Sequence, residues 1–362
     1  MRLSFKMLHN LALAISMIAI SGFGTACMTN NPGAAINRRI ANPFDASALI
    51  PVFFATNRVP ISLKPACDDS YYGVRNSREM RYGACEINVP KIHTVGSLAT
   101  GSSDRDRSFK TGALQEAQSG GLIRKIASTP GDEVLLFVHG FNVKFEEALL
   151  RAAQIAYDTK FQGATVLFTW PAGAGEDSLS SVLIHRTYAA NQTNARDSVA
   201  LFAQFVRDLR STGKTVHILV HSMGHQIVLP ALAQLADESG GKQIGELILN
   251  APDFPAADLQ QLAPRLQKLS RRVTLYCSPG DNALVASRQI NSNHRAGLCG
   301  KVPGIDVINV NELADAALGH GYYSERAVLT DVYQVLLGVD VERRLFIRRS
   351  DPGGGENYIL RK

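Results

Sequence analysis

The segment Thr215-Val216-His217-Ile218-Leu219-Val220-His221-Ser222-Met223-Gly224-His225 changes character at its centre. An apolar run rich in β-branched residues, the composition of a buried strand, stops at His-Ser-Met-Gly. A helical pattern follows at once, with Ile227, Val228, Leu229, Ala231 and Leu232 making it apolar nearly all round and Pro230 interrupting it. Strand, sharp turn with serine at its apex, then helix is the shape of a nucleophile elbow. The turn lifts the serine Oγ above the sheet edge, and the backbone N–H of the next residue, Met223, faces the place where an oxyanion would develop. Gly224 fits, because a side chain two residues after the serine would crowd the turn. The residue two before the serine, usually Gly in this motif, is Val220.

Working outward, strand-like and helix-like segments alternate. Val134–Val138 is a continuous apolar run of the length expected for a strand buried on both faces, and it ends in His139-Gly140-Phe141-Asn142. Ala148, Leu149, Ala152, Ile155 and Ala156 then recur at helical spacing. Ala164–Trp170 reads as another strand closed by Pro171, followed by a polar segment, 172–193, placed to cover a site. A helix through Val199, Phe202, Val206 and Leu209 leads into the strand before Ser222. Two further strand–helix pairs end their strands in Asn250-Ala251-Pro252-Asp253 and Ser278-Pro279-Gly280-Asp281. A last strand, 305–310, precedes His320, and a helix over 327–337 closes the pattern. Such alternation predicts an α/β fold with a mostly parallel, doubly wound sheet and helices on both faces. The stretch before it, 48–130, reads as a β-rich N-terminal extension to a core over 131–345; it opens with a strand at 50–58 and holds one short helix near 122–126. Residues 346–362 read as a tail, in which Asp351-Pro352-Gly353-Gly354-Gly355 reads as disordered.

Ligands in open α/β sheets sit at the carboxyl ends of the strands. Those ends carry His139-Gly140, Ser222, Asp253, Asp281 and His320. The order Ser…Asp…His is that of the α/β-hydrolase triad, with an oxyanion loop on an earlier strand. Ser222 would attack a carbonyl carbon, His320 would take and return the proton, and a carboxylate would orient the imidazole. Asp281 follows the seventh strand of the usual count and is the first choice for that carboxylate. Asp253 follows the sixth and is the runner-up, with helix N-capping before Pro255 as its alternative role. Phe141 and Met223 would supply the oxyanion N–H groups, and His139, Gly140, Asn142 and Trp170 would border the substrate.

The chain resembles a bacterial α/β-hydrolase family of largely uncharacterised, esterase- and lipase-like proteins. The matching pieces are Val52-Phe53-Phe54-Ala55-Thr56-Asn57-Arg58, His139-Gly140-Phe141-Asn142, Thr169-Trp170-Pro171, His221-Ser222-Met223-Gly224, Ala251-Pro252-Asp253, Asp281-Asn282-Ala283-Leu284 and Gly319-His320. The resemblance runs from about residue 50 to 338. The resemblance implies the α/β-hydrolase fold and a serine hydrolase acting on a carboxylic ester or related acyl bond of a small molecule or lipid, with no cofactor and no metal. An acyltransferase or amidase using the same residues, or a non-catalytic envelope binding protein, are the alternatives.

The chain has 362 residues, enough for a large core, and a formal charge of +6. No basic run with interleaved aromatics accompanies that charge, which argues against a nucleic-acid partner. Residues 1–26 have the form of a secretory signal: Arg2 and Lys6, an apolar centre over 11–20, and small residues before Cys27. Gly24 and Ala26 suit ordinary signal cleavage, whereas small residues directly before Cys27 suit a bacterial lipobox and a membrane tether through that cysteine. Either reading exports the protein to the periplasm, and 27–47 reads as a tether to the fold. Removing Arg2 and Lys6 leaves 36 basic against 32 acidic residues. Four cysteines remain beyond Cys27, and sequence proximity favours the disulfides Cys67–Cys85 and Cys277–Cys299. His221 and His225 lie four apart, but no Glu sits between them in the metalloprotease pattern.

Overall fold

The computed structural model describes residues 48–173, 184–238, 241–311, 320–350 and 358–361. The expected signal segment and tether lie outside them. The chain divides near residue 48, and apart from Ala48 the described elements lie in the unit Leu49–Lys362.

Its strands are β1 (Ala48–Pro60), β2 (Tyr72–Val89), β3 (Lys110–Ala117), β4 (Glu133–Val138), β5 (Ala164–Thr169), β6 (Thr215–His221), β7 (Ile244–Asn250), β8 (Ser270–Cys277), β9 (Asp306–Asn309), β10 (Ile347–Arg349) and β11 (Tyr358–Leu360). Its longer helices are α1 (Ser119–Ser128), α2 (Phe145–Asp158), α3 (Ile184–Arg210), α4 (His225–Glu238), α5 (Ala256–Leu269), α6 (Asn282–Asn291) and α7 (Arg326–Leu336). The strands form one sheet in the order β10-β11-β9-β8-β7-β6-β4-β5-β1-β2-β3. The run from β11 to β1 is parallel throughout, while the β2–β3 and β10–β11 pairs are antiparallel.

The apolar runs explain the parallel centre. β5 and β7 are buried along their whole length, and β4 and β6 along all but their first residue. Such strands have no wet face, so helices must cover both sides of the sheet. After β4 the chain moves outward to β5, then returns across β4 to lay down β6 on its other flank. This reversal is a topological switch point, and it opens a crevice at the carboxyl ends of β4 and β6. His139-Gly140 and Ser222 stand at those two ends.

Two disulfides cross-link the unit, Cys67–Cys85 and Cys277–Cys299, with separations of 18 and 22 residues. They match the pairing expected from sequence proximity, and such bonds persist in oxidising compartments. Among the described residues no helix is long and apolar enough to cross a membrane.

Two expectations are corrected. Of the polar segment 172–193, residues 174–183 lie outside the described residues; from Ile184 it is helical, and α3 runs 27 residues. Its inward positions there are Thr187, Tyr188, Asn191, Ala195 and Ser198, so the helical period is present but carried by polar and small side chains rather than apolar ones. The tail expected over 346–362 is not plain where it is described, and 351–355 lie outside the described residues. β10 and β11 add to the sheet beyond residue 345, with Ile347 and Leu360 buried; strands of three residues carry too little alternation to be read from sequence.

Candidate active site

Ser222 adopts φ 52°, a left-handed conformation that costs a non-glycine residue on the order of 1–3 kcal/mol. The turn is held by its surroundings. The Ser222 carbonyl accepts hydrogen bonds from His225 Nδ1 at 2.7 Å and from the Asp253 backbone N–H at 3.3 Å. Gly224 is required: a Cβ there would lie 2.6 Å from the His139 carbonyl oxygen and 3.1 Å from Val220 Cγ2. Val220 is fully buried beneath the elbow, in register between Val138 and Leu249. A valine is accommodated at this position because the space saved at Gly224 receives it.

His320 Nε2 stands 2.8 Å from Ser222 Oγ, and its Nδ1 stands 2.6 Å from Asp281 Oδ2. Asp281 is fully buried. It also accepts from the Tyr322 hydroxyl at 3.0 Å and, through Oδ1, from the Leu284 N–H at 3.0 Å, which makes it the N-cap of α6. A buried carboxylate receiving three donors is locked in place. Its only sensible partner on His320 is a protonated Nδ1, and that tautomer leaves Nε2 free to accept the serine proton. The His320 backbone is pinned as well, because His221 Nε2 donates to its carbonyl at 3.0 Å. Burial, with His320 nearby, drives the His221 pKa well below the usual histidine range, so this ring stays neutral. His221 and His225 thus reach separate carbonyls rather than a common point.

Asp253, the runner-up acid, is engaged elsewhere. Its carboxylate pairs with Arg295 Nε at 2.7 Å and accepts from Tyr188 and Ser287 hydroxyls at 2.7 and 2.5 Å, in a site where both charged side chains are almost wholly buried. Nor is it a helix cap, since the N-cap of α5 is Pro255. Desolvation, with Asp253 beside it, raises the Tyr188 pKa to about 12.

The loop after β4 meets the serine at Gly140. A Cβ there would fall 2.7 Å from Ser222 Cβ and 2.9 Å from His221 Nδ1, so only glycine allows the approach. Phe141 follows, packed on the Tyr188 ring at 5.7 Å. Asn142 has φ 57° and donates its N–H to Asn191 Oδ1. Met223 is buried beside Ser222 in the turn. His139 and Trp170, expected to border a substrate, are instead buried and spent on the loop itself. Their rings stack at 5.5 Å and 8°, and Trp170 Nε1 donates to the His139 carbonyl at 2.9 Å. Burial, with Arg58 nearby, pushes the His139 pKa down to about 3. Tyr322, His221, Tyr188 and Asn191 are the supporting residues that sequence reasoning passed over. Tyr322 and His221 could have been found as neighbours of His320 and Ser222; Tyr188 and Asn191 lie inside a helix that the apolar pattern does not reveal. Among the described residues no group of His, Cys, Asp and Glu is arranged to hold a metal.

A mostly parallel sheet with an elbow serine, a following acid and a late histidine at its strand ends defines the α/β-hydrolase class. The chain belongs to the family described as "Alpha/beta hydrolase of unknown function (DUF900)", which matches residues 115–339. Among solved structures it is similar to an esterase of Pyrobaculum calidifontis, at 11% identity and a TM-score of 0.27 over 71% of this chain and 69% of that one. It is also similar to the phospholipase PlaB of Legionella pneumophila, at 18% identity and a TM-score of 0.23 over 52% of this chain and 41% of that one. No curated protein matches the chain.

Proposed function

We propose that this protein is an exported serine hydrolase that cleaves a carboxylic ester through an acyl-enzyme. The observation that carries the reading is the continuous path Ser222 Oγ–His320 Nε2 and His320 Nδ1–Asp281 Oδ2, at 2.8 and 2.6 Å, on a strained elbow. In this mechanism Ser222 attacks the ester carbonyl while His320 takes its proton, and Asp281 stabilises the imidazolium without itself becoming protonated. The N–H groups of Met223 and Phe141 receive the oxyanion, each worth about 3 kcal/mol in the transition state. His320 then protonates the leaving alkoxide, and water repeats the sequence on the acyl-enzyme. The two disulfides support export.

The test is hydrolysis of p-nitrophenyl esters from acetate to palmitate by wild type and by Ser222→Ala. The expected result is turnover by wild type, falling by at least ~10³-fold in the variant. Equal turnover by a folded Ser222→Ala protein, or none by wild type at any chain length, contradicts the proposal.

A further inference from the structure

Arg58 is a fully buried arginine at the carboxyl end of β1. Nothing in the triad chemistry calls for it. Among the described residues no carboxylate lies within ion-pair distance of it. Its guanidinium donates to the carbonyls of Gly73, Val143 and Ala172 at 3.1, 2.8 and 3.0 Å, and its Nε donates to Thr169 Oγ1 at 3.1 Å. A buried charge hydrogen-bonded only to neutral acceptors is costly, and burial, only partly offset by the Asp69 carboxylate acting from a distance, lowers its pKa to about 9. Two of its targets have a common destination. Val143 closes the loop that passes Ser222, and Thr169 leads on to His139, whose Nε2 is 3.0 Å from Thr169 Oγ1 and whose Nδ1 is 3.1 Å from the Gly140 carbonyl.

The proton positions along this chain follow from what each group is able to do. The Gly140 carbonyl only accepts, so His139 carries its proton on Nδ1. The ring is neutral, so Nε2 is a bare acceptor, and the Thr169 hydroxyl must donate to it. That leaves the hydroxyl's lone pairs for Arg58 Nε–H. The far end matters for chemistry, because the Gly140 C=O and the Phe141 N–H belong to one peptide unit. No described peptide is cis, and in a planar trans peptide the two groups point in opposite directions. Fixing the Gly140 oxygen on His139 therefore fixes the direction of the Phe141 N–H.

We propose that Arg58, Thr169 and His139 form a one-way hydrogen-bond relay that, together with the Gly140 carbonyl, favours the Nδ1–H tautomer of His139 and thereby aims the Phe141 N–H at the oxyanion. They are positioning residues, acting through the Gly140–Phe141 peptide rather than on the substrate. The relay's catalytic consequence rests on the serine-hydrolase reading; its tautomer does not.

Arg58 variants risk misfolding, so the test uses Thr169→Val, which keeps the shape and removes the relay hydroxyl, with Thr169→Ser restoring it. Two readouts are taken on the full mature chain: ester kinetics, and the His139 tautomer from ¹⁵N-histidine NMR, assigned by the resonance missing in His139→Gln. In wild type His139 is expected as the Nδ1–H tautomer. In Thr169→Val that resonance shifts toward a mixture, kcat falls ~10- to 100-fold as one oxyanion donor loses its aim, and KM stays within about threefold. Thr169→Ser returns both readouts to wild-type values. An unchanged tautomer in Thr169→Val, or a wild-type His139 protonated on Nε2, overturns the relay whatever the kinetics. A shifted tautomer with unchanged kcat overturns its positioning role. If wild type hydrolyses no ester, the serine-hydrolase reading fails instead, and the tautomer alone decides the relay.

Discussion

At the scale of single residues, two aspartates at adjacent strand ends serve opposite purposes. Asp281 is held by the Leu284 N–H on Oδ1 and by the Tyr322 hydroxyl on the same Oδ2 that meets His320, and Asp253 is held by a buried guanidinium. Asp281→Asn should lower kcat by ~10³- to 10⁴-fold, because an amide at this position supports the wrong imidazole tautomer, with little change in the unfolding midpoint. Asp253→Asn should leave Arg295 as an uncompensated buried charge and cost about 3–5 kcal/mol of stability. Ester kinetics and urea unfolding of the two variants check this, and the account fails if their phenotypes are exchanged. Ser222 and His320 were legible in the sequence because a strand–turn–helix and a late histidine are local signals. The choice of acid was only partly legible, since both aspartates follow strands and differ only in what the fold places opposite them. His139 and Trp170 were misjudged for a similar reason: position at a strand end does not reveal which way a ring turns.

At the scale of elements, the site depends on two chain segments touching where β4 and β6 end. The contact is made by Gly140 against Ser222. Gly140→Ala introduces a methyl 2.7 Å from Ser222 Cβ, and a displacement of reacting groups by a fraction of an ångström to 1 Å costs up to ~10²-fold in rate. The expected result is a loss of that order in kcat/KM; wild-type activity would mean that the loop and the elbow are not in register as described. The strands that meet here were visible in sequence as unbroken apolar runs. The first half of α3 was not, because its buried face is made of Thr187, Tyr188, Asn191 and Ser198. Those residues bond the loops around the site, so the same polarity that hid the helix lets it hold Asn142, Gly173 and Asp253.

At the scale of the whole molecule, several histidines are folded in as neutral rings. His139 and His225 are pulled by burial from 6.5 to about 3, and His221 well below 6.5. Between these values the unfolded chain binds more protons than the folded one, so stability rises with pH there. Their contribution is fully present above about pH 6.5 and is lost as pH falls toward 3, at up to about 1.4 kcal/mol per pH unit per ring. Glu146, Glu147, Glu246, Asp306 and Asp331, raised by burial, act in the opposite sense, because their contribution to stability is lost as pH rises. The thermal midpoint should therefore drop steadily from pH 7 to pH 5, and a flat profile over that interval would contradict the burial of these rings. Strand order and the switch point emerge only at this scale. Alternation in the sequence gives a parallel sheet, but the placing of β6 beside β4, which makes the crevice, depends on contacts between segments some 80 residues apart.

The central claim is that Ser222 is a nucleophile activated by His320. It is tested most directly by treating the folded protein with a fluorophosphonate probe and locating the adduct by peptide mass spectrometry, beside His320→Ala. The account predicts a single phosphonyl adduct on Ser222 in wild type and almost none in the variant. An unmodified Ser222 in folded wild type, or equal modification without His320, would contradict it.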